Sequence, residues 1–229
     1  MSGGFTAHRY HMESLLPKCM LFAHVIDCWS LILNADEVLR DPQSPFRLFC
    51  QTDVAIFLPV VASVHIYLIV VDLRDTDFVI IDNSKTDVPM DIKYGDMPNN
   101  IQKYMAQFLH EVKHPKATEV SKVFHYRLPM PWRTLSNQVD CGVFTMRHME
   151  TFMGCEPGEF KSGFKNESAA QDLQLHKLRF RYMNRIMLSG HNSLQRNNHS
   201  EADEFSELSA KVRTNMLERA QNILFDRLA

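Results

Sequence analysis

At 229 residues with 45% hydrophobic content, the chain can bury a sizeable core as one domain with an appendage, in preference to two small domains. A formal net charge of −2 gives no bulk attraction to nucleic acid or to an anionic membrane, so partners must be argued from local features. The five cysteines (Cys19, Cys28, Cys50, Cys141 and Cys155) are odd in number, widely spaced and without a C-x-x-C pair, which argues against a disulfide framework or zinc knuckle and for a reducing compartment.

Residues 1–19 are mixed and polar and are expected to form a flexible start. No charged-then-apolar leader opens them, and no apolar run reaches the roughly 18 residues of a membrane span, so a soluble intracellular protein of nucleus or cytoplasm is expected. His8 and His11 lie close together, yet no further ligands follow at metal-binding spacing. From Leu21 onward, Val25, Trp29, Ile32 and Leu33 recur in helical rhythm until Asn34, Asp36 and Glu37 interrupt it, which predicts one or two helices. Asp41-Pro42 and Ser44-Pro45 break the pattern before Phe46 to Phe49 resume it.

The character changes at Asp53. Three apolar, β-rich runs follow, Val54 to Val61, His65 to Leu73 and Phe78 to Ser84, and each predicts a strand. The second and third, joined through Arg74, Asp75, Thr76 and Asp77, read as an antiparallel hairpin whose near-continuous apolar character implies that both faces are covered. His65 opens the second strand and Asp82 closes the third. In that register Asp82 shares a face with His65 but stands about four residues along, roughly 13 Å at strand rise, so twist or a bulge must close the gap. Residues 85–100 carry Pro, Gly and Asn and read as loop, Ile101 to Val112 as a helix, and Val123 to Leu128 as one more short strand.

The polar turn from Asn137 runs into the stretch that organises the chain. Val143, Phe144, Met146, Met149, Phe152 and Met153 cover most of a helix circumference, while Arg147, Glu150 and Thr151 share one side, which predicts a helix deep in the protein. Asp140 suits the N-cap, its carboxylate placed to accept hydrogen bonds from first-turn amides. Cys141 takes the first helical position, where the helix dipole and unpaired amides favour negative charge and a nucleophilic cysteine belongs. Gly142, a poor helix residue, marks a close approach to the backbone. Taken alone, a cysteine opening a core helix reads more readily as structural than as a nucleophile. Upstream, a histidine at a strand end and an acid on the neighbouring strand supply the rest of a Cys-His-Asp system: a base for the thiol proton and an acid that orients the imidazole.

The segments IFLPV (Ile56 to Val60), His65 with YLIVVDL (Tyr67 to Leu73), FVIIDNS (Phe78 to Ser84) and DCGVFTMRHME (Asp140 to Glu150) resemble the Ulp/SENP family of cysteine proteases acting on ubiquitin-like proteins such as SUMO, nearest its plant branch. The resemblance covers residues 20–190, set here as the protease domain. It implies an α+β, papain-like fold with a central mixed or antiparallel sheet and the nucleophile at the N-terminus of a buried helix. It assigns His65 as base, Asp82 as orienting acid and Cys141 as nucleophile. No cofactor or metal is implied, and the partner is a ubiquitin-like protein or its conjugates, met by a monomer without nucleic acid or membrane.

Two positions depart from the family pattern. Ile66 stands where the family has a Trp covering the site, and Leu135 where it has a Gln whose amide helps bind the oxyanion. Gln138 and Asn137 are substitute amide donors out of alignment, and losing one such donor typically costs about 10²- to 10³-fold in rate. The Cys141 backbone amide can still supply part of the oxyanion hole. Trp132 and residues near His65 are expected to bound the narrow channel for the substrate's glycine.

A competing reading keeps the fold without the chemistry, as a module that grips a ubiquitin-like partner, and Ile66 and Leu135 favour it. Nucleic-acid binding would lean on Lys177, Arg179, Arg181 and Arg185, which read instead as the solvated side of a helix whose inner face is Leu175, Leu178, Tyr182 and Ile186. Residues 191–200 read as a polar linker. Residues 201–229 read as an amphipathic helix capped by Ser200, with Glu201, Asp203 and Glu204 in its first turn. Its stripe of Phe205, Leu208, Val212, Met216, Ile223 and Leu224 is expected to pack on the parent domain.

Overall fold

A computed structural model of the chain describes residues 4–37, 55–155 and 158–228. The proline breaks after Asp41 and Ser44, the run Phe46 to Phe49, Cys50 and the change of character at Asp53 lie outside these residues.

The frame is a mixed sheet in the order β1 (Ala55–Ala62), β2 (His65–Asp72), β3 (Asp77–Ile81) and β4 (His125–Arg127). The pairs β1–β2 and β2–β3 are antiparallel, and β4 pairs with β3 in parallel. Side chains alternate across a strand, so β2 and β3 feed two cores. Ile66, Leu68, Val70, Val79 and Ile81 face one cluster, and Tyr67, Ile69, Val71, Phe78 and Ile80 the other. The first cluster is covered by α2 (Ala23–Glu37), α6 (Cys141–Thr151) and α7 (Ala169–Met187). The second is covered by α3 (Met90–Tyr94), α4 (Met97–Glu111) and α5 (Ala117–Val120), through Tyr94, Leu109 and Val120. Covering on both faces is why these strands carry unbroken apolar runs. Val143, Phe144 and Met146 of α6 are fully buried, each contributing about 1.5–3 kcal/mol of transfer free energy, so α6 is held rigidly against the sheet.

Several expectations are corrected. Residues 4–19 are folded rather than flexible: α1 (Arg9–Glu13) lies there, and Phe5, Ala7, Met12 and Leu15 are buried in the main core. Phe5 makes a parallel bridge to Asn192, which ties the start of the chain to the segment read as a linker. The region 85–100 is not all loop, since α3 and the start of α4 lie within it, with Pro89 as the N-cap of α3 and Pro98 in the first turn of α4. Prolines are tolerated at these positions because first-turn amides have no intrahelical acceptor. The last segment forms two helices, α8 (Gln195–Glu207) and α9 (Ala210–Leu228). Ser200 sits inside α8 with its hydroxyl 3.2 Å from Glu204 Oε1, so it caps nothing. Leu208, Val212 and Met216 are exposed instead of packing on the parent domain, and the side chains of Ile223 and Leu224 lie outside the described residues.

The hairpin register also differs from expectation. Asp72 pairs with Asp77 and Leu68 with Ile81, so the connection is Leu73 to Thr76, and Thr76 takes a positive φ of 59°. Continued by one step, this register sets Asp82 opposite Tyr67. Asp82 is then two residues along from His65 rather than four, which halves the expected offset to roughly 7 Å at strand rise, a span the two side chains close without a bulge.

Candidate active site

The strand order brings the candidate residues to one end of the sheet. His65 is the first residue of β2, Asp82 follows the last residue of β3, and Cys141 is the first residue of α6, which packs against β2. His65 Nε2 lies 2.8 Å from Asp82 Oδ1. The Cys141 thiol interacts with the same imidazole. Cys141 is only 1% exposed, but its sulfur is not sealed in hydrocarbon: it lies 3.9 Å from the Val64 carbonyl oxygen and against His65, whose side chain is 29% exposed. All three predicted residues therefore converge.

The electrostatics follow from the partners. Burial alone would lower the His65 pKa, but hydrogen bonds to Asp82 and Cys141 and the charge of both outweigh it and raise it to about 9. Asp82 is wholly buried, which by itself disfavours its charge, yet four groups satisfy it. Oδ1 takes His65 and the Ser84 amide at 2.8 Å, and Oδ2 takes the Tyr94 hydroxyl at 2.8 Å and Lys93 Nζ at 2.9 Å. The His65 hydrogen bond and charge, the Ser84 amide and the Lys93 charge together hold the carboxyl well below its usual range. Tyr67 stacks on the imidazole with ring centroids 6.2 Å apart, and burial, then the charge of Asp82, pushes its phenol up to about 12.

Asp140 stands at the N-cap, but its carboxylate caps no amide of α6. It is drawn away by stronger partners. Oδ1 accepts from Arg179 Nε at 2.7 Å and Oδ2 from Asn137 Nδ2 at 2.7 Å. Arg179, expected on the solvated side of its helix, is instead completely buried. Its Nη1 donates to the carbonyls of Ser14 (2.9 Å) and Leu16 (3.0 Å), and its Nη2 to those of Cys19 (2.7 Å) and Val139 (3.1 Å). Every N–H of the guanidinium thus has an acceptor, which is what makes a buried charge tolerable. The other cations of that set are dispersed: Arg181 pairs with Glu150, Arg185 pairs with Asp36 and lies over the Trp29 ring, and Lys177 is exposed.

Asn137 is occupied as a turn former, its Oδ1 accepting from the amides of Val139 and Asp140, so its side chain is no free oxyanion donor. Gln138 is exposed beside it. Leu135 is exposed, and its amide and that of Ser136 are held by the Glu167 carboxylate at 2.9–3.0 Å. Trp132 is buried in the main core. Its indole donates to His148 Nε2 at 3.3 Å and packs edge-on to Phe160. Ile66 is core, its carbonyl accepting from Thr145. Gly142 meets the close approach expected of it, because Leu21 lies against it. Sequence reasoning missed Lys93, Tyr94 and Arg179. The helix carrying the first two had a signal in Pro89 before and Gly95 after; the burial of Arg179 had none.

Among the described residues no group of three or more His, Cys, Asp or Glu side chains is placed to hold a metal, and no helix is long and apolar enough to cross a membrane.

The fold is similar to the C-terminal Ulp1 protease domain solved in complex with Smt3, the yeast ortholog of SUMO, at 15% identity and a TM-score of 0.54 over 80% of this chain and 83% of that one. It is likewise similar to the SUMO protease Ulp1 with its catalytic cysteine oxidized to a sulfonic acid, at 15% identity and a TM-score of 0.53 over 80% and 84% of the two chains. No curated protein matches the sequence. Residues 43–178 match the C-terminal catalytic domain of the Ulp1 protease family, and the chain belongs to that family of cysteine proteases.

Proposed function

We propose that Cys141, His65 and Asp82 form a catalytic triad that cleaves after the C-terminal glycine of a ubiquitin-like protein of the SUMO kind, in maturation or in release from conjugates. The observation that carries this reading is the 2.8 Å contact of His65 Nε2 with Asp82 Oδ1, with the thiol at the start of α6 interacting with the same imidazole. The Cys141 proton passes to His65 Nδ1, while Nε2–H stays on Asp82 Oδ1. The thiolate attacks the carbonyl carbon, and the resulting oxyanion is met by the Cys141 amide, one of the first-turn amides with no intrahelical acceptor. As the C–N bond breaks, Nδ1–H protonates the leaving amine and a thioester remains. Water then attacks with His65 as base, and collapse restores the thiol. The family membership and the resemblance of the site segments support the substrate class.

A second reading, a slow or non-catalytic module that grips the same partner, is favoured by Leu135 at the oxyanion position and by the engagement of Asn137 in its own turn. A SUMO-type protein carrying a C-terminal electrophile separates the two. Covalent labelling lost in Cys141→Ala supports the protease, and tight binding without an adduct supports the module.

A further inference from the structure

Asp82 carries more cationic and donor partners than a triad acid requires. The Ser84 amide on Oδ1 and the Tyr94 hydroxyl on Oδ2 already fix its plane with Oδ1 toward His65. Lys93 adds a full positive charge to the same carboxylate. Its Nζ lies 2.9 Å from Oδ2 and 2.5 Å from Ser84 Oγ, and its side chain is only 14% exposed, so this is no loose surface pair. At such burial the effective dielectric is well below that of water, and a charge on the carboxylate is felt by the imidazole across it.

We propose that Lys93 is a positioning residue acting through Asp82: it moderates the negative charge that Asp82 presents to His65, so that the imidazolium can give its proton to the leaving amine. The inference rests on the triad reading above. A general acid and base works best when its proton is held neither too loosely nor too tightly near the operating pH. Asp82 and Cys141 both draw the proton onto His65. Lys93 opposes them. The other groups facing this carboxylate and imidazole are Tyr67 from β2, Tyr94 from α3, Arg127 from β4 through Tyr94, and His148 from α6, which feels the Asp82 charge but is kept neutral by burial. None of the four places a cation directly on Asp82, which leaves that role to Lys93 among the described residues.

The test is the titration of the His65 ring, followed by NMR in protein with labelled histidine, for wild type, Lys93→Met and Lys93→Arg. The expected result is an upward move in Lys93→Met on the order of half a pH unit or more, with Lys93→Arg at the wild-type value. In turnover of a SUMO-type substrate, the basic limb of kcat/KM against pH should move with it. If Lys93→Met melts at room temperature, Lys93→Gln is used in its place. An unshifted or downward-shifted His65 titration in a folded variant overturns the proposal. The titration needs no substrate, so it is judged apart from the triad reading: labelled Cys141 with an unshifted His65 sinks the role of Lys93 alone, and unlabelled wild-type Cys141 sinks the reading beneath it.

Discussion

Leu21 lies directly against Gly142, the second residue of α6, so that a β-carbon added there would stand 2.7 Å from Leu21 Cβ. The contact is with the stem of Leu21 and cannot be relieved by a rotamer change at the tip. Gly142→Ala gains about 1 kcal/mol in helix propensity, but overpacking of this kind costs about 1–3 kcal/mol. We expect a net loss of stability in urea unfolding and slower labelling of Cys141. An alanine variant more stable than wild type would show that α2 and its lead-in can yield.

Arg179 and Asp140 form a buried pair just before Cys141. Replacing Arg179 by Met strands the Asp140 carboxylate and leaves four carbonyls without their donor, and breaking a buried pair in this way costs about 3–5 kcal/mol. Chemical denaturation should show a loss of that order. A loss under about 1 kcal/mol would mean the network is dispensable.

Asp82→Asn removes the carboxylate that orients His65 and stabilises its charged form. By analogy with other triads, kcat/KM should fall roughly 10³- to 10⁴-fold. The His65 titration should fall at the same time, since the carboxylate is one of the causes that raise it. Unchanged turnover would remove Asp82 from the mechanism.

The pH dependence has a sign at each end. The folded-state pKa of His65, about 9, lies above its ordinary 6.5, so the stability it contributes is complete below about 6.5 and is lost as pH rises through about 9. In Cys141→Ala one raising cause is gone, and the titration should move down. His148 is the opposite case: burial holds it down to about 3, so the unfolded state takes up a proton first, and stability is lost as pH falls from 6.5 towards 3. His148→Gln keeps an acceptor for Trp132 without titrating, and unfolding midpoints across that window should show a shallower acid slope.

The periodicities carried far. The apolar runs at β1, β2 and β3 and the helix opening at Cys141 were legible because burial on both faces writes itself into composition. The hairpin register was not: Leu73 is as apolar as its neighbours, and nothing local says that pairing stops at Asp72 and that Thr76 turns the chain. Four residues of hairpin connection displaced by one position change the predicted separation of His65 and Asp82 by two. The burial of Arg179 is hidden from the sequence for a related reason. Helical spacing put it between exposed neighbours Lys177 and Arg181, but its acceptors are backbone carbonyls of Ser14, Leu16 and Cys19, and a carbonyl has no sequence signature. Exposure of Leu208, Val212 and Met216 shows the same limit from the other side, since an apolar stripe states a preference for burial without naming what will cover it.

The guanidinium of Arg179 and the Ser14 carbonyl it holds are 165 residues apart in the chain. A nascent polypeptide that has emerged past its cysteine still lacks this latch until α7 leaves the ribosome. The Cys141 thiol is therefore synthesised before the guanidinium that locks the turn ahead of it.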